Sequence, residues 1–165
     1  MIRILFAMLL LVPVSAFSFQ NEPTGFRNIP WDSSISKIAG FRPAGELSGT
    51  VQRYMKMDET FPQEGITLTD IQYVTDTGKF IEAVALFECS QYGPLKKMLK
   101  KKYGAVTATA LKGGALSWQG TVTTITLDPP VVAKGKAPNA DPPLCALTYS
   151  STPHLKNNAP QGKGN

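Results

Sequence analysis

Few side chains in this sequence could do chemistry. The chain has one histidine, His154, and no second histidine to assist it. A serine nucleophile needs a histidine held rigidly beside it. His154 lies in a polar stretch, residues 152–165, whose Asn, Gly and Pro content predicts a disordered tail. The sequence therefore predicts no catalytic residue.

Metal and cofactor sites also lack their usual patterns. A zinc site needs several converging ligands, and one histidine with scattered carboxylates offers no such cluster. Asp58-Glu59 lacks the spacing of a calcium loop, and Gly78-Lys79 lacks the glycine spacing and the following hydroxyl of a phosphate loop. We predict no metal and no cofactor. Two carboxylates can still meet from distant positions, so a hydrolase of cell-wall or glycan substrates is the alternative function.

The two cysteines, Cys89 and Cys145, predict one disulfide bond. Both fall on the core-facing side of predicted strands, and a bridge would join the end of the third strand to the last one. Closing so long a loop is worth about 4 kcal/mol in the chain-entropy model. Two separate buried thiols are the alternative.

One predicted helix carries five lysines around an apolar stripe. Leu95, Met98, Leu99 and Tyr103 share a face, and Gly104 ends the helix. A basic amphipathic helix can bind an anionic surface or an envelope protein, while a solvated face is the alternative. The candidate partner-binding residues are Lys96, Lys97, Lys100 and Lys101.

The start of the chain predicts export. A basic residue, Arg3, precedes an apolar run at 4–14 and small residues at 14–16, so residues 1–18 read as a signal peptide cleaved near Ala16 or Ser18. The run is too short to span a bilayer, and a buried N-terminal helix is the alternative. Loss of Arg3 lowers the net charge from +5 to +4, which is too small and scattered to indicate nucleic-acid binding. We expect a periplasmic or secreted protein with no transmembrane segment in its mature chain.

The elements that would position these residues form a single α+β domain over residues 19–151. We predict a mainly antiparallel sheet with two short helices, in the order helix, three strands, helix, three strands, which could be a duplicated α-β-β-β unit. Phe26, Ile29 and Trp31 should pin the entry segment to the core, although Trp31 could instead serve a ligand. A short helix at 33–40, a loop at 41–48 and a strand at 50–58 should follow.

Two hairpins should build most of the sheet. A three-residue turn at 76–78 sets Tyr73 opposite Ile81 and turns the odd positions of 79–88 toward the core. A two-residue turn at 119–120 sets Trp118 opposite Thr121. The Pro-rich stretch 128–143 should be an exposed loop, either an insertion or a partner-recognition segment, before a last strand at 144–150.

Four motifs carry a resemblance. They are Phe26-Arg27-x-Ile29-x-Trp31 before Ile35 and Ile38; Ile71-x-Tyr73 before Gly78-Lys79-Phe80; Leu95…Leu99…Tyr103-Gly104; and Trp118-x-Gly120-x-x-Thr123-x-Ile125-x-Leu127. On these the chain resembles a loose group of uncharacterised small secreted or periplasmic bacterial proteins, whose members often carry Gly where this chain has Asp32. The helix-then-strands units also resemble β-lactamase-inhibitory-protein-like envelope domains, which bind other proteins. The first resemblance implies an exported protein and carries no activity over to this chain, and the second, at the level of the fold, implies a domain that binds other proteins.

Overall fold

The computed structural model describes residues 19–59, 62–63, 65–108, 114–129 and 142–158. The predicted signal peptide and residues 130–141 of the Pro-rich stretch lie outside them. The strands are β1 (Gly25–Phe26), β2 (Ile29–Pro30), β3 (Phe41–Ser48), β4 (Val51–Lys56), β5 (Pro62–Gln63), β6 (Ile66–Asp76), β7 (Lys79–Glu88), β8 (Leu116–Gln119), β9 (Thr123–Leu127) and β10 (Leu144–Ser151). The helices are α1 (Tyr92–Tyr103) and α2 (Thr152–Asn158), with single 3-10 turns at Ile35–Lys37 and Cys89–Gln91.

The main sheet is antiparallel throughout and runs in the order β3-β4-β6-β7-β10-β9-β8, with β5 paired to β6. Strands β1 and β2 form a separate two-stranded hairpin. The predicted α+β class, a mainly antiparallel sheet with few helices, is therefore confirmed. Strand β10, the last in the chain, lies in the interior of the sheet between β7 and β9.

One face of this sheet carries the core. A row of directly paired residues crosses six strands, and each is at most 6% exposed: Tyr54, Tyr73, Ala83, Tyr149, Ile125 and Trp118. Helix α1 packs its buried side chains, Leu95, Leu99 and Tyr103, into the same core. The predicted apolar stripe and the helix end at Gly104 (φ 86°) are confirmed.

The entry segment is anchored as predicted. Phe26, Ile29 and Trp31 are all buried in the core. The Trp31 indole lies 4.8 Å from the Phe80 ring and donates its N–H to the Thr123 hydroxyl at 2.7 Å. Because its ring and its polar atom both have partners inside the fold, Trp31 acts as an anchor.

The β6–β7 hairpin pairs in a different register from the one predicted, and most of the predicted core face of β7 is kept. Thr77 and Gly78 both have positive φ (48° and 77°), as a two-residue type I′ turn requires. Asp76 therefore pairs with Lys79, and Thr75 pairs with Phe80. Ile81 is then an extra residue on β7, so that Val74 pairs with Glu82 and Tyr73 with Ala83. The predicted pairing of Tyr73 with Ile81 is wrong. Ala83, Ala85 and Phe87 face the core as predicted, but the bulge changes the alternation at its turn side, where the even residue Phe80 joins the core cluster and Ile81, predicted to face the core, does not.

The β8–β9 hairpin was also predicted in the wrong register. Trp118 pairs with Ile125, not with Thr121, because the pair nearest the turn is Gln119 with Thr124 and the loop between the strands spans residues 120–122. The carboxylate of Glu22 accepts hydrogen bonds from the backbone N–H groups of Val122 (2.6 Å) and Thr123 (2.8 Å). A side chain far away in sequence therefore sets the width of this turn.

Strand β3 forms where a loop was predicted. Its register against β4 shifts between Pro43 and Gly45 and again between Glu46 and Ser48. The two bulges interrupt the alternation that a strand shows in sequence. Pro43 is tolerated because β3 is an edge strand, where a missing N–H need not break the ladder.

Two segments, one near each end of the domain, have a different secondary structure from the one predicted. The segment 33–40, predicted as a helix, contains one 3-10 turn, Ile35–Lys37, and the buried Ile35 side chain anchors this turn in the core. The tail predicted to be disordered begins with α2. The N–H of Thr152 donates to the Val122 carbonyl at 2.9 Å, and its hydroxyl lies 2.9 Å from that of Thr124. These tertiary contacts order a segment whose composition does not favour a helix.

Candidate functional site

A cleft of about 520 Å³ opens between the β1–β2 hairpin and the C-terminal end of α1. This size is in the range of small-ligand sites. Its polar side chains come from three separate parts of the chain, and they include Asn21, Arg27, Asn28, Lys102, Tyr103 and Tyr149. We call this the basic cleft.

The β1–β2 hairpin presents Arg27 at the cleft through a strained turn. Arg27 and Asn28 both have positive φ (48° and 64°), which a two-residue type I′ turn requires. Asn adopts this conformation readily, whereas a residue such as Arg is strained by roughly 1–2 kcal/mol. Gly25 lets the two strands close, since a Cβ there would lie 2.0 Å from the Ile29 carbonyl oxygen. The contacts that Arg27 makes offset this strain.

A buried carboxylate holds Arg27 in place. Arg27 donates from Nη1 to Glu59 Oε1 at 2.8 Å, and the Tyr73 hydroxyl donates to the same oxygen at 2.6 Å. The Glu59 side chain is 6% exposed and that of Arg27 is 23% exposed. Burial, followed by the hydrogen bond to Glu59, raises the pKa of Tyr73 far above its usual value. The hydroxyl therefore stays protonated and remains a donor.

Two tyrosines place hydroxyl groups on the opposite wall. The hydroxyls of Tyr103 and Tyr149 lie 3.4 Å apart, and both side chains are almost fully buried. The Phe26 ring packs 5.1 Å from that of Tyr149, and the Lys102 ammonium lies 5.5 Å from the centre of the Tyr103 ring. The ring contacts fix these hydroxyls beside a cation.

The charge of the cleft has one sign. Among the described residues that line it, the ionisable side chains are those of Arg27, Lys102, Tyr103 and Tyr149, and none is a carboxylate. Concave surfaces of one charge concentrate ions of the opposite charge. The cleft is therefore suited to an anionic group and offers no pair of carboxylates.

The predicted disulfide is confirmed. Cys89 and Cys145 are bonded, with their Cα atoms 5.0 Å apart. Cys145 is buried at the start of β10, and Cys89 begins the 3-10 turn between β7 and α1. The bond therefore fastens the start of β10 beside the N-terminal end of α1.

The structure separates the four candidate lysines into two pairs. Lys96 and Lys100 line a second, more open hollow of about 770 Å³, together with Gln20, Gly104 and Val106. Lys97 and Lys101 are exposed on α1 and line neither hollow.

Sequence reasoning missed the basic cleft. It used Arg27 and Tyr103 as structural residues only, and it did not consider Asn21, Asn28 or Tyr149 as binding residues. The one available signal was local: Arg27-Asn28 stand between apolar residues, and Asn is favoured in a type I′ turn. Nothing in the spacing brings that turn to Lys102.

His154 lies on α2 rather than in a disordered tail. Its Nε2 is 3.7 Å from Asp76 Oδ2. Nearby, Ser150 donates from its hydroxyl to Glu82 at 3.0 Å, and burial raises the pKa of Glu82. Ser150 is only 6% exposed.

The described part of the chain has neither a metal cluster nor a membrane-spanning helix. Within it, no cluster of three or more His, Cys, Asp or Glu side chains could hold a metal ion. Nor does any helix there have the length and apolar character to cross a membrane.

Comparison of this chain with protein-family models, with curated proteins and with solved structures gave no match. Its function is therefore argued from the cleft itself.

Proposed function

We propose that this chain is an exported, non-enzymatic binding domain of the bacterial envelope, and that its basic cleft binds the anionic group of a partner. The observation that carries the proposal is the one-sided charge of the cleft. Arg27 and Lys102 border it, and the residues lining it in the described chain include no carboxylate. An anion entering it would be attracted by Lys102 and by the part of the Arg27 charge that Glu59, 2.8 Å behind it, does not compensate.

The cleft is also pre-organised. Arg27 is held by Glu59, and the hydroxyls of Tyr103 and Tyr149 are held by ring packing. Side chains that are already fixed lose little entropy on binding. The alternative function, a hydrolase using two carboxylates, has no support from the composition of this cleft.

The disulfide supports the predicted compartment. Such bonds form and persist in oxidising compartments, and Cys89 and Cys145 are bonded in this chain. We therefore retain the signal peptide at residues 1–18 and the periplasmic or secreted location as part of the proposal. An envelope protein remains the proposed partner.

The duplicated α-β-β-β unit stays a hypothesis. Four strands of the main sheet, β3, β4, β6 and β7, precede α1, and three, β8, β9 and β10, follow it. A duplication would require that one strand was added to the first unit.

Fluorescence anisotropy with labelled tripeptides tests the proposal. The oxidised protein, exported from its full chain, is titrated with alanine tripeptides whose central residue is glutamate, glutamine or lysine. We expect the glutamate peptide to bind most tightly and to weaken as salt is added. Lys102→Gln should weaken it about threefold, and Lys97→Gln, which removes the same charge outside the cleft, should leave it unchanged.

Two results would refute the proposal. One is equal binding of the glutamate and glutamine peptides. The other is an equal effect of the Lys102 and Lys97 substitutions, because that would place binding on the general charge of the helix.

A further inference from the structure

Glu59 places a negative charge directly behind the basic cleft. Its Oε1 atom lies 2.8 Å from Arg27 Nη1, and its side chain is 6% exposed. Arg27 lines the cleft, whereas Glu59 does not. An anion in the cleft would therefore meet Arg27 directly and would feel Glu59 only through its charge.

The burial of Glu59 makes that charge effective at a distance. Exposed charges are screened by water and salt, whereas buried charges are screened much less. The Tyr73 hydroxyl donates to the same oxygen as Arg27, at 2.6 Å, so two donors fix the carboxylate behind the cleft. Glu59 would consequently repel an anion in the cleft without touching it.

This repulsion depends on the charge of the bound anion. The electrostatic free energy of an anion is its charge multiplied by the potential at the site. A negative charge behind the cleft therefore costs a doubly charged anion twice as much free energy as a singly charged one. Because affinity depends exponentially on free energy, the factor for the doubly charged anion is the square of the other.

We propose that Glu59 is a specificity-determining residue of the basic cleft, whose buried charge selects against phosphate groups and in favour of singly charged carboxylates. This inference rests on the proposed function of the cleft and adds the chemical class of the anion. A residue that only positioned Arg27 would weaken binding when it is replaced. A counter-charge strengthens binding when it is replaced by a neutral side chain, so the sign of the effect separates the two roles.

The test measures the affinity of two labelled peptides for the oxidised protein exported from its full chain. Both are alanine tripeptides with blocked ends, and the central residue is glutamate in one and phosphoserine in the other. At pH 8 the phosphoserine carries about two negative charges. Glu59→Gln removes the charge and keeps an oxygen that can accept from Tyr73. The matched control, Asp58→Asn, removes the same charge from the exposed neighbouring residue, whose φ of 56° asparagine tolerates.

We expect Glu59→Gln to bind the glutamate peptide about threefold more tightly than the wild type does. It should bind the phosphoserine peptide about ninefold more tightly, which is the square of that factor. Asp58→Asn should leave both affinities unchanged, because solvent screens an exposed charge.

A second pair of variants measures the same charge in the absence of Arg27. Arg27→Gln leaves the Glu59 carboxylate behind the cleft, whereas the double variant with Glu59→Gln removes both charges of the buried pair, a change that proteins often tolerate. The double variant should bind the glutamate peptide about threefold more tightly than Arg27→Gln does. This comparison decides the inference if urea titrations show that Glu59→Gln alone does not fold.

The inference is overturned if neither neutralisation of Glu59 strengthens binding, or if both peptides gain by the same factor, while the wild type still binds the glutamate peptide. The proposed function then stands. An equal gain for Asp58→Asn would also overturn it, because the effect would then reflect the net charge of the protein. Failure of the wild type to bind the glutamate peptide would remove the proposed function itself.

Discussion

The hydrogen bond from Tyr73 to Glu59 should be worth far more than an ordinary tyrosine hydrogen bond. The Tyr73 hydroxyl is fully buried and lies 2.6 Å from a carboxylate that is 6% exposed. Hydrogen bonds to charged groups contribute about 1.5–3 kcal/mol. We therefore expect Tyr73→Phe to lower the free energy of unfolding by about 2 kcal/mol.

Its neighbour provides a matched control. Tyr54 pairs directly with Tyr73 across β4 and β6, and its hydroxyl donates to the neutral Gln52 side chain at 3.1 Å. Neutral hydrogen bonds contribute about 0.5–1.5 kcal/mol net. Tyr54→Phe should therefore cost about 1 kcal/mol, since the same atom is removed without loss of a charged partner.

Removing the carboxylate should cost more than either change. Glu59→Ala leaves the Tyr73 hydroxyl without its acceptor and Arg27 without this partner, and breaking a buried pair costs about 3–5 kcal/mol. Because Arg27 is 23% exposed, solvent offsets part of this and we expect about 3 kcal/mol. In the double variant the Tyr73→Phe change should cost nearly nothing, which gives a coupling of about 2 kcal/mol.

Urea denaturation followed by tryptophan fluorescence measures this cycle in five proteins: the wild type, Tyr73→Phe, Glu59→Ala, their double variant and the Tyr54→Phe control. The slope against urea should be the same for all five, so that the midpoints report stability. Additive effects of Glu59→Ala and Tyr73→Phe would refute the reasoning. So would a loss for Tyr73→Phe no larger than that for Tyr54→Phe.

Three other predictions concern the fold. Replacing Cys89 and Cys145 by alanine should lower the free energy of unfolding by about 4 kcal/mol, and reductant should then have no further effect in a urea titration; an unchanged midpoint would contradict the role of the bond. Asp32 has a φ of 63°, in the left-handed region. Asp32→Gly should therefore raise the free energy of unfolding by about 0.5 kcal/mol, and Asp32→Ala should lower it by about 1 kcal/mol. Thermal melts that rank the two variants the other way would be evidence against backbone strain at Asp32. Burial raises the pKa of Glu82 above 4.5. The folded state therefore holds the Glu82 proton more tightly than the unfolded chain does, and the free energy of unfolding falls as the pH rises above 4.5. Glu82→Gln should reduce that decline in melts between pH 4 and pH 8, whereas Glu88→Gln, at an exposed position, should not; equal slopes for the two variants would contradict the prediction.

Features set by local periodicity could be predicted from the sequence. The apolar stripe of α1, its end at Gly104 and the inward side chains of β7 from Ala83 to Phe87 all follow from side-chain spacing within one element. The disulfide could be predicted because the chain has two cysteines and is expected in an oxidising compartment; strand parity placed Cys145 correctly, whereas Cys89 lies in a 3-10 turn after β7 and is only partly buried.

Features set by contacts between distant parts of the chain could not be predicted from the sequence. The β8–β9 register depends on Glu22, about 100 residues earlier, which binds the backbone of the turn. The helix after β10 depends on Val122 and Thr124. The residues of the basic cleft come from three separate parts of the chain, and no local pattern indicates that the β1–β2 hairpin lies against the end of α1.

The place of β10 in the sheet has a consequence for biogenesis. Strand β10 is the last of the described strands, yet it joins β7 to β9. A chain made from its N-terminus therefore cannot join the two parts of this sheet until β10 has been made, and until then β7 and β9 each keep one unpaired edge. A chain shortened before β10 would expose both of these edges to pairing with other chains.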